Sequence, residues 1–279
     1  MQYLRITKPP IVGLFLVTSL AAMLLAGSLR VGETAAVLIA IAMTVAGSAA
    51  LNNYLERGVD AHMQRTRGRP TASGALAPGH ALVFGVVVTL AGVAAVWAVA
   101  GPLAAALTAA GAFYYVVVYT LLLKPRLALS SVPGALAGAF PALAGWAATG
   151  APWSAQVATL CVVIVVWSPS HFWALALARS SDYVASGIPS PATRYGARGA
   201  RWLVLGGVLA VVAVSLAPVA AGVFGAVYLA AAAGAGVAFL IITARLVRVR
   251  TPEAAWLVHK LSGPYLGILM VAMVVDALL

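Results

Sequence analysis

Three oxygen-bearing side chains, Asn52, Glu56 and Asp60, follow one another at intervals of four in the stretch LNNYLERGVDAHMQRTRGRPTASG, residues 51–74. On a continuing helix that spacing stacks them turn above turn on one face. Two carboxylates and an amide in such a ladder offer ligands to a hard divalent cation. Arg65, Arg67 and Arg69 come directly after, close enough to hold the phosphates that such a cation would bridge. Together they indicate diphosphate chemistry. Taken alone, an acidic and amide ladder is more often a solvated helix cap, so the surroundings must decide.

Those surroundings are a membrane. Of 279 residues, 63% are hydrophobic and only 8% charged, with a mean hydropathy of +1.03; soluble domains carry about 25% charged residues. Apolar runs of spanning length, about 20 residues each, are expected at nine places: 10–29, 35–56, 80–100, 102–123, 129–148, 154–178, 201–219, 222–245 and 261–279. The expected architecture is an all-α membrane protein, one domain of nine transmembrane helices over 1–279. The pairs 80–123 and 201–245 read as hairpins with short turns at Gly101-Pro102 and near Gly222. Pro133, Gly134, Gly138, Pro141 and Gly145 predict a kinked fifth helix with close neighbours, and Pro169 a kink in the sixth. The N-terminal apolar run is too long for a cleaved signal. The single Cys161 excludes a disulfide framework and a cysteine metal site, leaving packing.

Nine crossings sort the cations. Sixteen of the seventeen fall on one side and only Arg30 on the other, which makes the populated side cytoplasmic and places the N-terminus there. The net charge of +11 is thus a matter of topology, and nucleic acid is not an expected partner. The two long connections, 57–79 and 179–200, both lie on the cytoplasmic face, four spans apart. Asp182 stands in the second as the counterpart of the ladder in the first. Ionisable groups at a membrane are costly and commonly functional.

The motifs resemble those of the UbiA-type intramembrane prenyltransferases, and most closely the protohaem IX farnesyltransferase (haem O synthase) branch. Asn52-Asn53-Tyr54, Asp60, Met63, Arg65-Thr66 and Arg69-Pro70 match the first motif of that branch. Thr7-Lys8-Pro9, Tyr119-Thr120, Leu123-Lys124, Gly138-Ala139-Phe140-Pro141 and Gly145-Trp146 follow in order. So do WSPSHFWALAL at 167–177, Asp182-Tyr183 and Gly187-Ile188-Pro189. Glu56 stands where the family usually has Asp. Gly58 and Ser181 replace further acids, Pro125 replaces a basic residue, and Ser190-Pro191 departs from the usual sequence.

The resemblance implies prenyl transfer from farnesyl (or longer prenyl) diphosphate to a vinyl group of haem B, within the lipid bilayer and at its cytoplasmic face. One or two Mg2+ ions would be held by Asn52, Glu56, Asp60 and Asp182. Lys8, Arg65, Arg69, Lys124 and Arg179 would neutralise the diphosphate leaving group. Tyr115, Tyr119, Phe172 and Trp173 would line a dry cavity, although packing explains any one aromatic equally well. His171 would contact haem through its iron or beside a propionate; the plain alternative is a hydrogen-bonded structural histidine. His62, His80 and His259 read as surface residues. A haem A synthase is the expected partner downstream. Three rivals stand beside this reading: a UbiA-type enzyme with an aromatic quinone precursor or chlorophyllide as acceptor, a transporter, and a non-catalytic haem-binding relative.

Overall fold

The computed structural model describes residues 1–27 and 30–279. Among them every regular element is helical: α1 (Gln2–Ile6), α2 (Pro9–Ala26), α3 (Val31–Ala61), α4 (Pro78–Phe113), a π-helix (Tyr114–Leu123), α5 (Ser131–Gly134), a 3-10 turn (Ala135–Gly138), α6 (Phe140–Ala148), α7 (Ala155–Ala178), α8 (Ser180–Ser186), α9 (Pro191–Ala220), α10 (Ala226–Val249) and α11 (Pro252–Leu278). Among the described residues seven helical runs are long and apolar enough to cross a membrane.

Local chemistry explains the departures from the expected boundaries. The second span does not stop at 56; α3 continues to Ala61 and so carries the whole ladder on one rigid rod. The Gly101-Pro102 break is real: Gly101 has φ 81° and ψ −178°, a conformation open to glycine alone, inside an otherwise continuous helix. The expected fifth helix divides into α5, the 3-10 turn and α6, as its prolines and glycines require. By contrast α7 runs unbroken through Pro169. The region 179–200 is more ordered than a loop. It holds α8 and the start of α9, which Ser190 and Thr193 close with a reciprocal capping box and Pro191 primes.

The helices close into a ring. α3 lies along α4, α2 and α4 pack on α6, and α7 packs on α9 and α11. α10 joins α9 to α11, and α11 returns to α2. Water cannot drive helices together inside lipid, so close packing of small residues does. A Cβ placed on Gly47 would lie 2.8 Å from the Gly85 carbonyl oxygen, and one on Gly145 would lie 2.5 Å from that of Ser19. Glycine is what lets those backbones touch.

Candidate active site

The ladder forms as spaced. Asn52, Glu56 and Asp60 are all buried, at 2, 8 and 2% exposure, and each faces a cation. The Lys8 ammonium donates to Asn52 Oδ1, and the Lys124 ammonium donates to Glu56 Oε1. One guanidinium nitrogen of Arg69 lies 2.6 Å from Asp60 Oδ2 and 3.7 Å from Glu56 Oε2. Two cations distant in sequence and one from the following loop therefore converge on one helix face.

Lys8 and Lys124 are held there by their own backbone. Lys8 takes the left-handed region (φ 53°, ψ 64°) just before Pro9-Pro10 opens α2, a conformation few non-glycine residues adopt. The turn sets its side chain against α3. Lys124 ends the π-helix, whose i to i+5 bonding puts its N–H on the Tyr119 carbonyl at 2.9 Å. π-helices are rare and concentrate at functional sites. The same helix presents Thr120, whose hydroxyl accepts from Asn52 Nδ2 at 3.1 Å and donates to the Tyr115 carbonyl at 2.8 Å. The Asn52 amide is thereby oriented with its carbonyl oxygen toward Lys8. Thr120 belongs to a motif legible in the sequence, yet its partner 68 residues away was not.

Burial lowers the Lys8 ammonium to about 7, with Arg69 adding repulsion and Glu56 and Asp60 pulling the other way. Burial also disfavours charge on Lys124, but the Glu56 carboxylate overrides it and holds that ammonium above its ordinary value.

The donor set fits a hard divalent cation. Two carboxylates and an amide carbonyl are buried together, and three side-chain cations stand where positive charge is wanted. Among the described residues no cluster of three His, Cys, Asp or Glu occurs. An ion here would therefore complete its shell with phosphate and water oxygens, as magnesium commonly does.

Asp182 is brought to the same face, but its oxygens are in use. Oδ1 accepts from the Gln64 N–H at 3.0 Å and Oδ2 from the Arg65 N–H at 3.2 Å, with the residue 5% exposed. It clasps the 62–77 segment to α8. Asn53, next to the ladder, turns inward as structure, donating to the Ile6 and Ala49 carbonyls. Arg65 and Arg179 stay exposed at the rim, and Arg179 lies over the Trp256 ring at 4.9 Å.

The four expected cavity aromatics divide between two hollows. Tyr115 lines an apolar one running down α3, with Ile41, Thr44, Ser48, Thr108 and Phe140. Tyr119, Phe172 and Trp173 line another beside Lys124 and Tyr183.

His259 is not a surface residue as expected. It sits in α11, half-buried, its ring centroid 4.2 Å from that of His171. Trp167 stacks on His171 from the other side at 4.5 Å. His62 and His80 are exposed, as expected. The hydrogen bonds fix both tautomers. Ser262 Oγ donates its one proton to the His259 carbonyl at 2.6 Å, so it must accept from His171 Nδ1 at 2.6 Å. His259 Nδ1 donates to the His171 carbonyl at 3.1 Å. Each imidazole keeps Nε2 as its unprotonated nitrogen, the form that ligates metals.

A family model of the UbiA prenyltransferase family matches residues 15–263. The protoheme IX farnesyltransferase 1 of Pseudomonas fluorescens is 39% identical over 277 residues, covering 99% of this chain and 93% of its own length. The protoheme IX farnesyltransferase of Azotobacter vinelandii is 38% identical over 277 residues, with 99% and 93% covered. A solved structure of digeranylgeranylglyceryl phosphate synthase superposes with a TM-score of 0.79 at 17% identity, over 99% of this chain and 97% of that one. A UbiA homolog from Archaeoglobus fulgidus bound to GPP and Mg2+ gives 0.70 at 15%, over 98% and 99%. At these identities the solved structures speak to the fold. Motif order, site geometry and near full-length relatives agree: the chain belongs to the UbiA prenyltransferase family, in its protoheme IX farnesyltransferase branch.

Proposed function

We propose that the chain transfers a farnesyl group from farnesyl diphosphate to a vinyl group of haem B, giving the hydroxyethylfarnesyl side chain of haem O. The observation that carries this reading is the buried ladder of Asn52, Glu56 and Asp60, each met by its own cation, one helical turn along α3 from Ser48, which lines the apolar hollow with Tyr115. Relatives named protoheme IX farnesyltransferase support the donor and the acceptor.

Magnesium would be held by Asn52, Glu56 and Asp60, where it supplies Lewis-acid stabilisation of the departing diphosphate. A second ion at Asp182 would share oxygens already receiving two N–H groups, for which a carboxylate has lone pairs to spare. The chain's own cations do the rest. Lys8, Arg69 and Lys124 are positioned to leave their present carboxylate and amide partners for phosphate oxygens, with Arg65 and Arg179 entering from the rim. Their charge stabilises the leaving group as the C1–oxygen bond breaks. The apolar hollow keeps water from the allylic cation until the haem vinyl carbon attacks it. Water then adds to the resulting porphyrin-side cation and releases a proton.

The haem acceptor is read at the α7–α11 seam, where His171 Nε2 is a free base and the exposed Arg179 and Lys260 flank Trp256. These cations suit propionates.

We further read nine crossings. The 46 residues from Pro78 to Leu123 would run about 69 Å as one helix, more than twice the ~30 Å hydrocarbon core. The Gly101 break supports two crossings there, and 131–148 makes a broken one. With nine, the cation asymmetry supports a cytoplasmic N-terminus and a site on the cytoplasmic face. Haem O release toward a haem A synthase fits that placement.

Haems extracted from cells expressing the wild type, Asn52→Ala or Asp60→Ala provide the test, read by mass spectrometry. The wild type converts haem B to haem O and both variants fail while remaining folded in detergent. Wild-type conversion by both variants would overturn the metal-site reading.

A further inference from the structure

The face of α3 that carries the ladder does not end at Asn52. One turn deeper Ser48 and then Thr44 and Ile41 line the apolar hollow. At 1.5 Å per residue, Ile41 lies about 16 Å below Asn52 along α3. The opposite wall reaches a comparable depth. The Asn52–Thr120 hydrogen bond pins its register, and Thr108, twelve residues before Thr120, lines the same hollow. Ile41 and Ala144 also belong to a packed cluster with the buried Val37, Met23 and Ala104, none of which lines the hollow.

Its depth selects among prenyl groups. Three bonds of an extended trans chain span about 3.8 Å, so a four-bond isoprene unit spans about 5 Å by the same measure. Three units need about 15 Å and four need about 20 Å on that scale. Farnesyl fits between the ladder and Ile41, and geranylgeranyl overruns it.

We infer that Ile41, with Thr108 and Ala144, forms the floor that fixes the prenyl chain at three isoprene units. This rests on the prenyl-transfer reading above, but its test separates the two. Ile41→Ala removes three carbons from the floor and opens the hollow toward Val37. Ala144→Leu adds three carbons and raises the floor. Neither residue touches the diphosphate ladder.

The experiment measures direct binding of geranyl, farnesyl and geranylgeranyl diphosphate to detergent-purified protein by calorimetry, alongside prenylation of haem B with each donor. The wild type prefers farnesyl over geranylgeranyl diphosphate by at least tenfold. Ile41→Ala erases or reverses that preference, and Ala144→Leu shifts the optimum to geranyl diphosphate. Equal wild-type affinity for the two longer donors overturns the inference whatever the variants do. So does an unchanged preference in a variant whose thermal transition and elution match the wild type. If preferences move as expected while haem B stays unprenylated, the floor stands and the acceptor assignment falls.

Discussion

Asp182→Ala is the perturbation that most directly tests how this site is assembled. The carboxylate accepts two main-chain N–H groups, from Gln64 and Arg65, at 3.0 and 3.2 Å. Hydrogen bonds to a charged group contribute about 1.5–3 kcal/mol each, and at 5% exposure solvent does little to weaken them. Losing both removes roughly 3–6 kcal/mol from docking of the 62–77 segment on α8. That segment carries Arg69, so its release also loosens the pairing with Glu56 and Asp60. At 1.4 kcal/mol per decade, the lower figure corresponds to about a hundredfold faster opening. Hydrogen exchange at the Gln64 and Arg65 amides reads it directly, in detergent, without substrate. Asp182→Asn keeps one acceptor and falls between. The Mg2+ concentration for half-maximal activity should move far less than exchange does. Exchange within threefold of wild type in Asp182→Ala, with a tenfold rise in the Mg2+ requirement, would refute the clasp and make Asp182 a metal ligand alone.

Two further outcomes follow from the geometry. Lys8 is brought down to about 7, foremost by burial and then by Arg69; a bound anion favours its protonated form and raises it. Affinity for inorganic diphosphate is therefore greatest below pH 7 and falls as pH rises above it, by up to about tenfold per unit. Calorimetry from pH 6.5 to 8.5 checks this, and Lys8→Arg flattens the dependence; a flat wild-type profile contradicts it. His171 presents an unprotonated Nε2 because its proton stays on Nδ1, which donates to Ser262 Oγ. Haem B titrated into detergent-purified protein should show a perturbed Soret band that His171→Ala loses, with affinity at least tenfold weaker. An identical spectrum from the variant removes the iron contact.

The ladder illustrates what a sequence carries well. Helical spacing is a local property, so Asn52, Glu56 and Asp60 could be set on one face before any partner was known. The loop arginines beside them point to phosphate on the same terms. Asn53 shows the boundary. It is adjacent, chemically equal to Asn52, and yet turned to the Ile6 and Ala49 carbonyls, because a helix sends neighbouring residues about 100° apart. Only the packing of α1 decides which asparagine is structural. The same holds for His259, which lies beside a loop in the expected topology and against His171 in space.

Composition and charge asymmetry by themselves determined a multi-span helical protein, and the motifs determined its family, since lipid admits few architectures and the motifs fall in order along the chain. Tertiary structure alone decided which cation meets which oxygen, that Asp182 clasps a loop, and that the hollow beside α3 reaches Ile41. Those facts depend on contacts between residues up to 118 apart, where helix register and close approach at glycines set distances that no local pattern encodes.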